Sequence, residues 1–153
     1  MRNKRYEHKN ALKKRVTLVA LSMIHIAIVL YITLINRIPG ERRHMLTPFW
    51  EIRNVINGTE RNFYTGQIIG NLLMLMPTGF LLPSIVEKRM VRWYHVTVSA
   101  LIFSIFIEIT QYITGRGLME FDDVFNNTVG SMIGFAVYCA IKKRNGRGSG
   151  AKC

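Results

Sequence analysis

The sequence predicts an all-α integral membrane protein, a four-helix bundle with both termini in the cytoplasm. The chain contains long uncharged apolar runs, most of its basic residues lie in alternate connections, and no run shows the period-two alternation of barrel strands. Hydrophobic residues make up 49% and charged residues 20% of the 153 residues, a composition that is unusual for a soluble enzyme.

The first predicted helix covers 16–35, a run of 20 residues without a formal charge. This is the length that a helix needs to cross a hydrocarbon core of about 30 Å. A cleaved signal peptide has a shorter apolar run and a small-residue cleavage site, so we expect this helix to be retained as an anchor. Three further helices are predicted at 66–86, 93–113 and 124–141.

These four helices make up a predicted transmembrane domain at 16–141. A basic cytoplasmic N-terminus at 1–15 precedes the domain, and a basic flexible cytoplasmic tail at 142–153 follows it. Phe49 and Trp50 lie in the long connection 36–65 and are aromatic residues of the kind that sit among lipid headgroups, so we expect this connection to lie along the membrane surface.

The charge distribution predicts the orientation. The chain carries a net charge of +12, and fifteen of its 21 Lys and Arg residues lie in 1–15, 87–92 and 142–153. The two other connections, 36–65 and 114–123, hold six of the nine acids. The positive-inside bias then places both termini in the cytoplasm. Because the basic residues flank membrane helices rather than forming one surface interleaved with aromatic residues, we expect a lipid bilayer and no nucleic acid as partner.

Polar residues of three predicted helices fall in the outer half of the membrane. The second and fourth helices enter from outside and the third ends there, so their polar side chains share one depth. The connection 114–123 supplies further charges directly above them. We therefore predict a ligand-binding set that consists of Asn71, Glu108, Gln111, Arg116, Asp122, Asp123 and Asn127.

Several roles are open for Glu108, because an ionisable group inside a membrane is a functional candidate by default. It could be structural, by pairing with Arg116 or by accepting from Gln111 and Asn71. It could bind a substrate or headgroup, or act as a catalytic acid or base. If Glu108 and Arg116 pair, substitutions at the two positions should be coupled.

Metal binding is a weaker expectation, with Asp122 and Asp123 as candidate ligands of a hard divalent cation. Three acids in four residues are also what a helix N-terminus favours, and no cofactor is predicted. Five further residues are predicted to shape the helices and their packing, through a proline kink, close approach at glycines and an aromatic neighbour: Pro77, Gly79, Phe80, Gly130 and Gly134.

Three motifs in order resemble those of the VanZ-like family. They are NLLMLMPTGFLLP at 71–83, IEITQ at 107–111, and Arg116 followed by EFDDVFNNTVGSMIG at 120–134. Matched one at a time, the motif residues of that family fall on Asn71, Pro77, Gly79, Phe80, Glu108, Gln111, Arg116, Asp122, Asp123, Asn127, Gly130 and Gly134.

The resemblance implies a small multi-pass protein of the bacterial cytoplasmic membrane, in a family whose named member gives low-level resistance to teicoplanin, a lipid-tailed glycopeptide antibiotic. We expect a factor that engages such an antibiotic, or a lipid-linked cell-envelope component, at the outer leaflet and contributes to antibiotic tolerance. One alternative is an intramembrane enzyme on a lipid-linked substrate, with Glu108 as acid or base. The sequence shows no nucleophile beside a base, which favours binding over catalysis. A structural subunit of a membrane complex is the third possibility.

Overall fold

The computed structural model describes residues 2–86 and 91–144, and the protein is 81% helical. The side chains of 2–5 lie outside that description, as do residues 87–90 of the predicted basic linker 87–92 and residues 145–153 of the predicted tail 142–153. The elements in chain order are α1 (Arg2–Leu30), which continues as a π-helical turn (Tyr31–Ile35), β1 (Arg43–Met45), α2 (Trp50–Asn57), α3 (Arg61–Ile85), α4 (Trp93–Thr114), β2 (Leu118–Glu120) and α5 (Phe121–Arg144).

Four of these helices are long and apolar enough to cross a membrane: α1 with its π-helical turn, α3, α4 and α5. Their outer surfaces carry large apolar side chains such as Met23 and Ile102, whereas their interior buries polar ones such as Ser104 and Asn127. Such a distribution suits a bundle whose outer surface faces lipid. The prediction of four helices that are long and apolar enough to cross a membrane is confirmed for the described residues, and the orientation of the termini stays a prediction.

The helices extend beyond the predicted apolar runs. The first begins at residue 2 instead of 16, the second at 61 instead of 66 and the fourth at 121 instead of 124. Apolar length measures the hydrocarbon core, whereas the hydrogen bonds of a helix continue through its charged turns into the headgroup region and water.

Two short strands are a departure from the predicted all-α class. β1 and β2 pair in parallel, with Arg43 opposite Leu118 and Met45 opposite Glu120. The backbone N–H of Gly40 also donates to the carbonyl of Gly115 at 2.8 Å. Strands of three residues are too short to show an alternating pattern, so the sequence carried no signal for them. They bind the connection after the first membrane helix to the loop between α4 and α5.

The connection 36–65 also differs from the expected surface segment, because it contains α2. Glu51 on this short helix is completely buried, and Trp50 donates from Nε1 to Glu120 Oε2 at 2.8 Å. The aromatic residues of this connection therefore attach it to the bundle end, in addition to any contact with headgroups.

α3 and α5 approach each other backbone to backbone along a seam of three glycines. A Cβ on Gly130 would collide with the carbonyl oxygen of Leu72, one on Gly134 with that of Met76, and one on Gly79 with that of Ser131. At one end of the seam, Phe80 contacts Tyr138 edge-on at 6.1 Å between ring centroids. α3 continues as a helix through the exposed Pro77.

Candidate functional site

Five carboxyl side chains lie buried at one end of the bundle, where α1 ends and α3 begins. They are contributed by α2, α4, β2 and α5, and even the most exposed of them, Asp123, is only 6% exposed. We call this set the acidic layer. Its members are Glu51, Glu108, Glu120, Asp122 and Asp123.

Asp122 holds the start of α2. Its Oδ1 accepts from the backbone N–H of Phe49 at 2.6 Å, and its Oδ2 accepts from that of Glu51 at 3.0 Å. The first N–H groups of a helix have no helical partner, so a carboxylate from another element satisfies them and complements the helix dipole. Both oxygens of Asp122 are thus used by α2.

Three other acids of the layer face one another. Carboxylate oxygens of Glu51, Glu120 and Asp123, one from each, all lie within 4.8 Å of one another. We call these three residues the carboxylate triad. Of the two predicted metal ligands, Asp123 belongs to the triad, whereas Asp122 lies beside it and binds backbone.

The triad is held by hydrogen bonds from its surroundings. One oxygen of each carboxylate accepts from a neutral donor, at 2.5 to 3.1 Å. The donors are Asn126 Nδ2 for Glu51, Trp50 Nε1 for Glu120 and Asn71 Nδ2 for Asp123. The predicted ligand residue Asn71 therefore orients an acid of the triad.

The electrostatics of the layer disfavour several negative charges together. Burial raises the pKa of Glu51 to about 8, and repulsion from Asp123, Glu120 and Asp122 adds to the shift. Burial likewise raises the pKa of Glu120 to about 7, again with repulsion from Asp123 and Asp122. The Arg37 guanidinium opposes the shift at Glu120 only in part. A bound cation would remove this conflict.

Glu108 and Arg116 do not form the expected ion pair. Glu108 Oε2 accepts from the backbone N–H of Glu120 at 2.8 Å, which ties α4 to β2. Arg116 Nη1 donates to the carbonyls of Leu34 and Ile35 at 3.0 Å, and to that of Arg37. Carbonyls at a helix C-terminus lack helical partners and carry partial negative charge, so they attract a guanidinium.

Gln111 and Asn127 connect helices in the buried interior. Gln111 Nε2 donates to the carbonyl of Thr33 at 3.0 Å, and Asn127 Nδ2 donates to Ser104 Oγ at 2.9 Å. The side-chain oxygens of both amides have no hydrogen-bond partner among the described residues. These two residues join α4 to its neighbours on both sides.

A cleft of about 420 Å³ lies between α1 and α3 and reaches Asp123. One end of the cleft is polar, and the walls leading away from that end are mostly apolar. Thr33, Arg37, Gln67, Asn71 and Asp123 line the polar part, Ile28, Val29, Ile32, Leu73 and Met74 line the apolar walls, and Gly70 and His25 complete the lining. Among the predicted ligand residues, only Asn71 and Asp123 line the cleft.

Sequence reasoning missed Glu51 and Arg37, and it left Glu120 out of the predicted ligand set. Ile52, Val55 and Ile56 recur at helical spacing and could have indicated α2. Nothing local indicates that Glu51 enters the bundle, because its neighbours in the acidic layer lie about seventy residues away in the chain. Arg37 lies just after the end of the first membrane helix, at the depth of the predicted ligand residues, and this position could have marked it as a candidate.

Comparison with known families identifies the family of the chain. The family model VanZ/LLP1 matches residues 17–142, a range that contains all four membrane helices except the charged ends of α1 and α5, together with the whole acidic layer. The resemblance based on the three motifs is therefore confirmed. No curated protein and no solved structure matches the chain.

Proposed function

Because the chain belongs to the VanZ/LLP1 family and carries a cleft that is apolar along its walls and charged at one end, we propose that it binds a lipid-tailed amphiphile in a membrane. The shared chemistry is an apolar chain joined to an anionic head. Two sources supply it: a lipid-linked cell-envelope component and a lipid-tailed glycopeptide antibiotic. The membrane we propose is the bacterial cytoplasmic membrane, with the acidic layer on its outer side and a role in antibiotic tolerance.

The cleft is the observation that carries this proposal. Its volume of about 420 Å³ is in the range of small-molecule sites, and suits a chain segment with a small head. Ile28, Ile32 and Leu73 offer apolar contact to the chain. Because α1 and α3 both face lipid elsewhere, a chain can enter between them from the bilayer without crossing water.

Arg37 supports an anionic head. It lines the polar end of the cleft and is exposed, and a guanidinium can bind a phosphate or carboxylate with two parallel hydrogen bonds. Arg116, which the sequence offered for this role, already donates to three carbonyls at the end of the first membrane helix. We therefore assign head recognition to Arg37.

Catalysis by Glu108 is not the function that we propose. Glu108 is 2% exposed, does not line the cleft, and has one oxygen engaged by the backbone of Glu120. No observation brings it to a bound head group, so the binding function is favoured over the enzymatic alternative.

Two glycines of α3 provide a matched test. Gly70 lines the cleft and Gly66 does not, and an added Cβ at either position meets no atom within 4 Å. Gly70→Leu should fill the cleft without disturbing the helix, whereas Gly66→Leu should leave it open. Leucine also has the higher helix propensity, so neither variant should lose stability.

The binding experiment uses purified protein in detergent and native mass spectrometry with a polyprenyl phosphate. Wild type and Gly66→Leu should bind it, and Gly70→Leu should bind at least tenfold more weakly. Arg37→Gln should also weaken binding, because it removes the guanidinium that we propose binds the anionic head. Equal binding by Gly70→Leu and Gly66→Leu would place the ligand elsewhere and contradict the proposal.

A second arm separates the two sources. Teicoplanin and its tail-less relative vancomycin are titrated against the same variants, and antibiotic tolerance is measured in cells that express them. Binding and tolerance specific to teicoplanin, lost in Gly70→Leu, would identify the antibiotic tail as a ligand. Binding of the polyprenyl phosphate alone would identify the envelope component. If neither amphiphile binds wild type, the proposed function is wrong.

A further inference from the structure

The carboxylate triad reaches the cleft only through Asp123, and its three acids form a group of their own. Glu51, Glu120 and Asp123 are 0%, 5% and 6% exposed, and their carboxylate oxygens lie within 4.8 Å of one another. We infer that Glu51, Glu120 and Asp123 form a binding site for one hard divalent cation of the class of Ca²⁺, Mg²⁺ and Mn²⁺. Such cations select oxygen ligands, and carboxylates above all.

The hydrogen bonds around the triad resemble the outer shell of a metal site. Each carboxylate is oriented through one oxygen, by Asn126, Trp50 or Asn71, and these donors are neutral. The second oxygen of Glu51, Oε1, has no hydrogen-bond partner among the described residues. Ligand carboxylates in metal sites are oriented in this way, by a donor on one oxygen that leaves the other for the metal.

Glu51 gives an independent indication of a ligand. Its side chain is completely buried, and its Oε1 has no hydrogen-bond partner among the described residues. A buried polar atom without a partner is strongly unfavourable, and the effect is greater for a charged group. Because the carboxylate of Glu51 lies among those of Glu120 and Asp123, a cation between the three would complete its coordination.

The spacing suits the size of these ions. Oxygens that bind Ca²⁺ lie 2.3–2.6 Å from it, so opposite ligands are up to about 5.2 Å apart. Oxygens within 4.8 Å of one another can therefore share one ion, and smaller ions need only a modest contraction. Backbone groups and water supply further ligands at such sites.

The surrounding charge also favours a cation. Asp122 adds a fourth acid beside the triad, and the positive charge of Arg37 acts on both Glu120 and Asp123. Two added positive charges would offset the excess of carboxylates. Asp123 also lines the cleft, but Glu51 and Glu120 do not, so cation binding can be tested apart from amphiphile binding.

The test uses the purified full chain in detergent, stripped with a chelator and titrated separately with Ca²⁺, Mg²⁺ and Mn²⁺ at pH 8 by isothermal calorimetry. At least one of the three should bind with a stoichiometry of one per chain. Glu51→Gln should reduce its affinity at least tenfold, because the variant keeps the size of the side chain and removes its charge. Glu41→Gln is the matched control, since Glu41 is an exposed acid of the same connection.

Two further readouts keep the result interpretable. The cation should raise the melting temperature of wild type and Glu41→Gln, and should change the fluorescence of Trp50, which donates to Glu120. Circular dichroism checks that Glu51→Gln keeps its helices. Absence of saturable binding by all three ions up to about 10 mM, above the weakest affinities of all-oxygen sites, would overturn the inference. Equal affinity in wild type and Glu51→Gln would overturn it as well.

The proposed cation site and the proposed amphiphile binding can be contradicted independently of each other. Gly70→Leu should lose the amphiphile and keep the cation, because Gly70 lines the cleft and Glu51 and Glu120 do not. A wild-type protein that binds the polyprenyl phosphate but no cation would contradict only the metal site. One that binds the cation but neither amphiphile would contradict only the proposed function.

Discussion

Asp122 Oδ2 accepts a hydrogen bond from the backbone N–H of Glu51 at 3.0 Å, across 71 positions of sequence. The bond fixes the N-terminus of α2 against the first turn of α5. Because the anchored N–H belongs to Glu51, the same bond positions the Glu51 side chain in the buried acidic layer. The position of the carboxylate triad therefore depends on an acid that is not a member of it.

Removal of this anchor should destabilise the protein. Asp122→Ala loses two hydrogen bonds to a charged acceptor, each contributing about 1.5 kcal/mol, so the free energy of unfolding should fall by about 3 kcal/mol. Asp122→Asn should also be destabilising, because the amide keeps one acceptor oxygen but places an NH2 donor against the other backbone N–H. Unfolding in mixed micelles measures the free energy of unfolding of both variants, with Glu41→Ala as control. A change below about 0.5 kcal/mol for Asp122→Ala would show that the anchor is unimportant.

The glycine seam between α3 and α5 should be the position most sensitive to small substitutions. Gly130→Ala places a methyl group against the carbonyl of Leu72, and backbone cannot yield as a side chain does. We expect a loss of at least about 3 kcal/mol, at or above the upper end for overpacked cores. Gly66→Ala, whose added methyl group meets open space, should be neutral or slightly stabilising in the same assay. Equal effects of the two changes would exclude backbone contact at the seam.

The sequence predicts the membrane helices well because apolar length is a local property. The site is less predictable, since its geometry depends on contacts between distant segments. Arg116 lies near Glu108 in sequence, which suggested an ion pair, but its guanidinium binds the carbonyl of Leu34, 82 positions away. Glu51 lies in a connection that was expected along the membrane surface, and its contact with Asp122 joins segments that are 71 positions apart. Composition identified an acidic end of the bundle, and only the fold shows which acids face each other.

Glu108 and Arg116 should act independently, contrary to the coupling expected from the sequence. Each has its own backbone partners, so the losses of Glu108→Gln and Arg116→Ala should add to within about 0.5 kcal/mol in the double variant. The three variants are compared by unfolding in detergent. If the double variant loses less stability than the sum of the two single losses, by more than about 1 kcal/mol, the two residues are coupled and the ion-pair hypothesis is supported.

Stability should fall with rising pH when cations are chelated. Glu51 has a pKa of about 8 in the folded chain against an ordinary 4.5, so the folded state retains protons that the unfolded state releases. Its contribution to stability is full below about pH 4.5 and is lost as the pH rises through about 8. Glu120, with a pKa of about 7, acts in the same direction.

Thermal unfolding between pH 6 and pH 9 in a chelator measures this dependence. Glu51→Gln should reduce it without removing it, because glutamine does not titrate but Glu120 still does, whereas Glu41→Gln should leave it unchanged. If wild type is as stable at pH 9 as at pH 6, Glu51 does not retain its proton in the folded state.

The orientation of the protein can be decided by cysteine labelling in intact cells. With both termini in the cytoplasm, the acidic end of the bundle faces outward, as the proposed function requires. Ile38 and Asn57 are exposed at that end, so cysteines placed there should react with an impermeant reagent. Gly117 is unsuitable, because its φ of 153° and the nearby Arg37 side chain disfavour any larger residue.

A cysteine at Lys88, in the predicted basic linker between α3 and α4, should stay unlabelled until the cells are permeabilised. Permeabilisation is the control, since it must expose all three positions equally. Labelling of Lys88 in intact cells together with protection of Ile38 and Asn57 would reverse the orientation. The cleft head and the carboxylate triad would then face the cytoplasm, where an antibiotic in the outer leaflet cannot reach them.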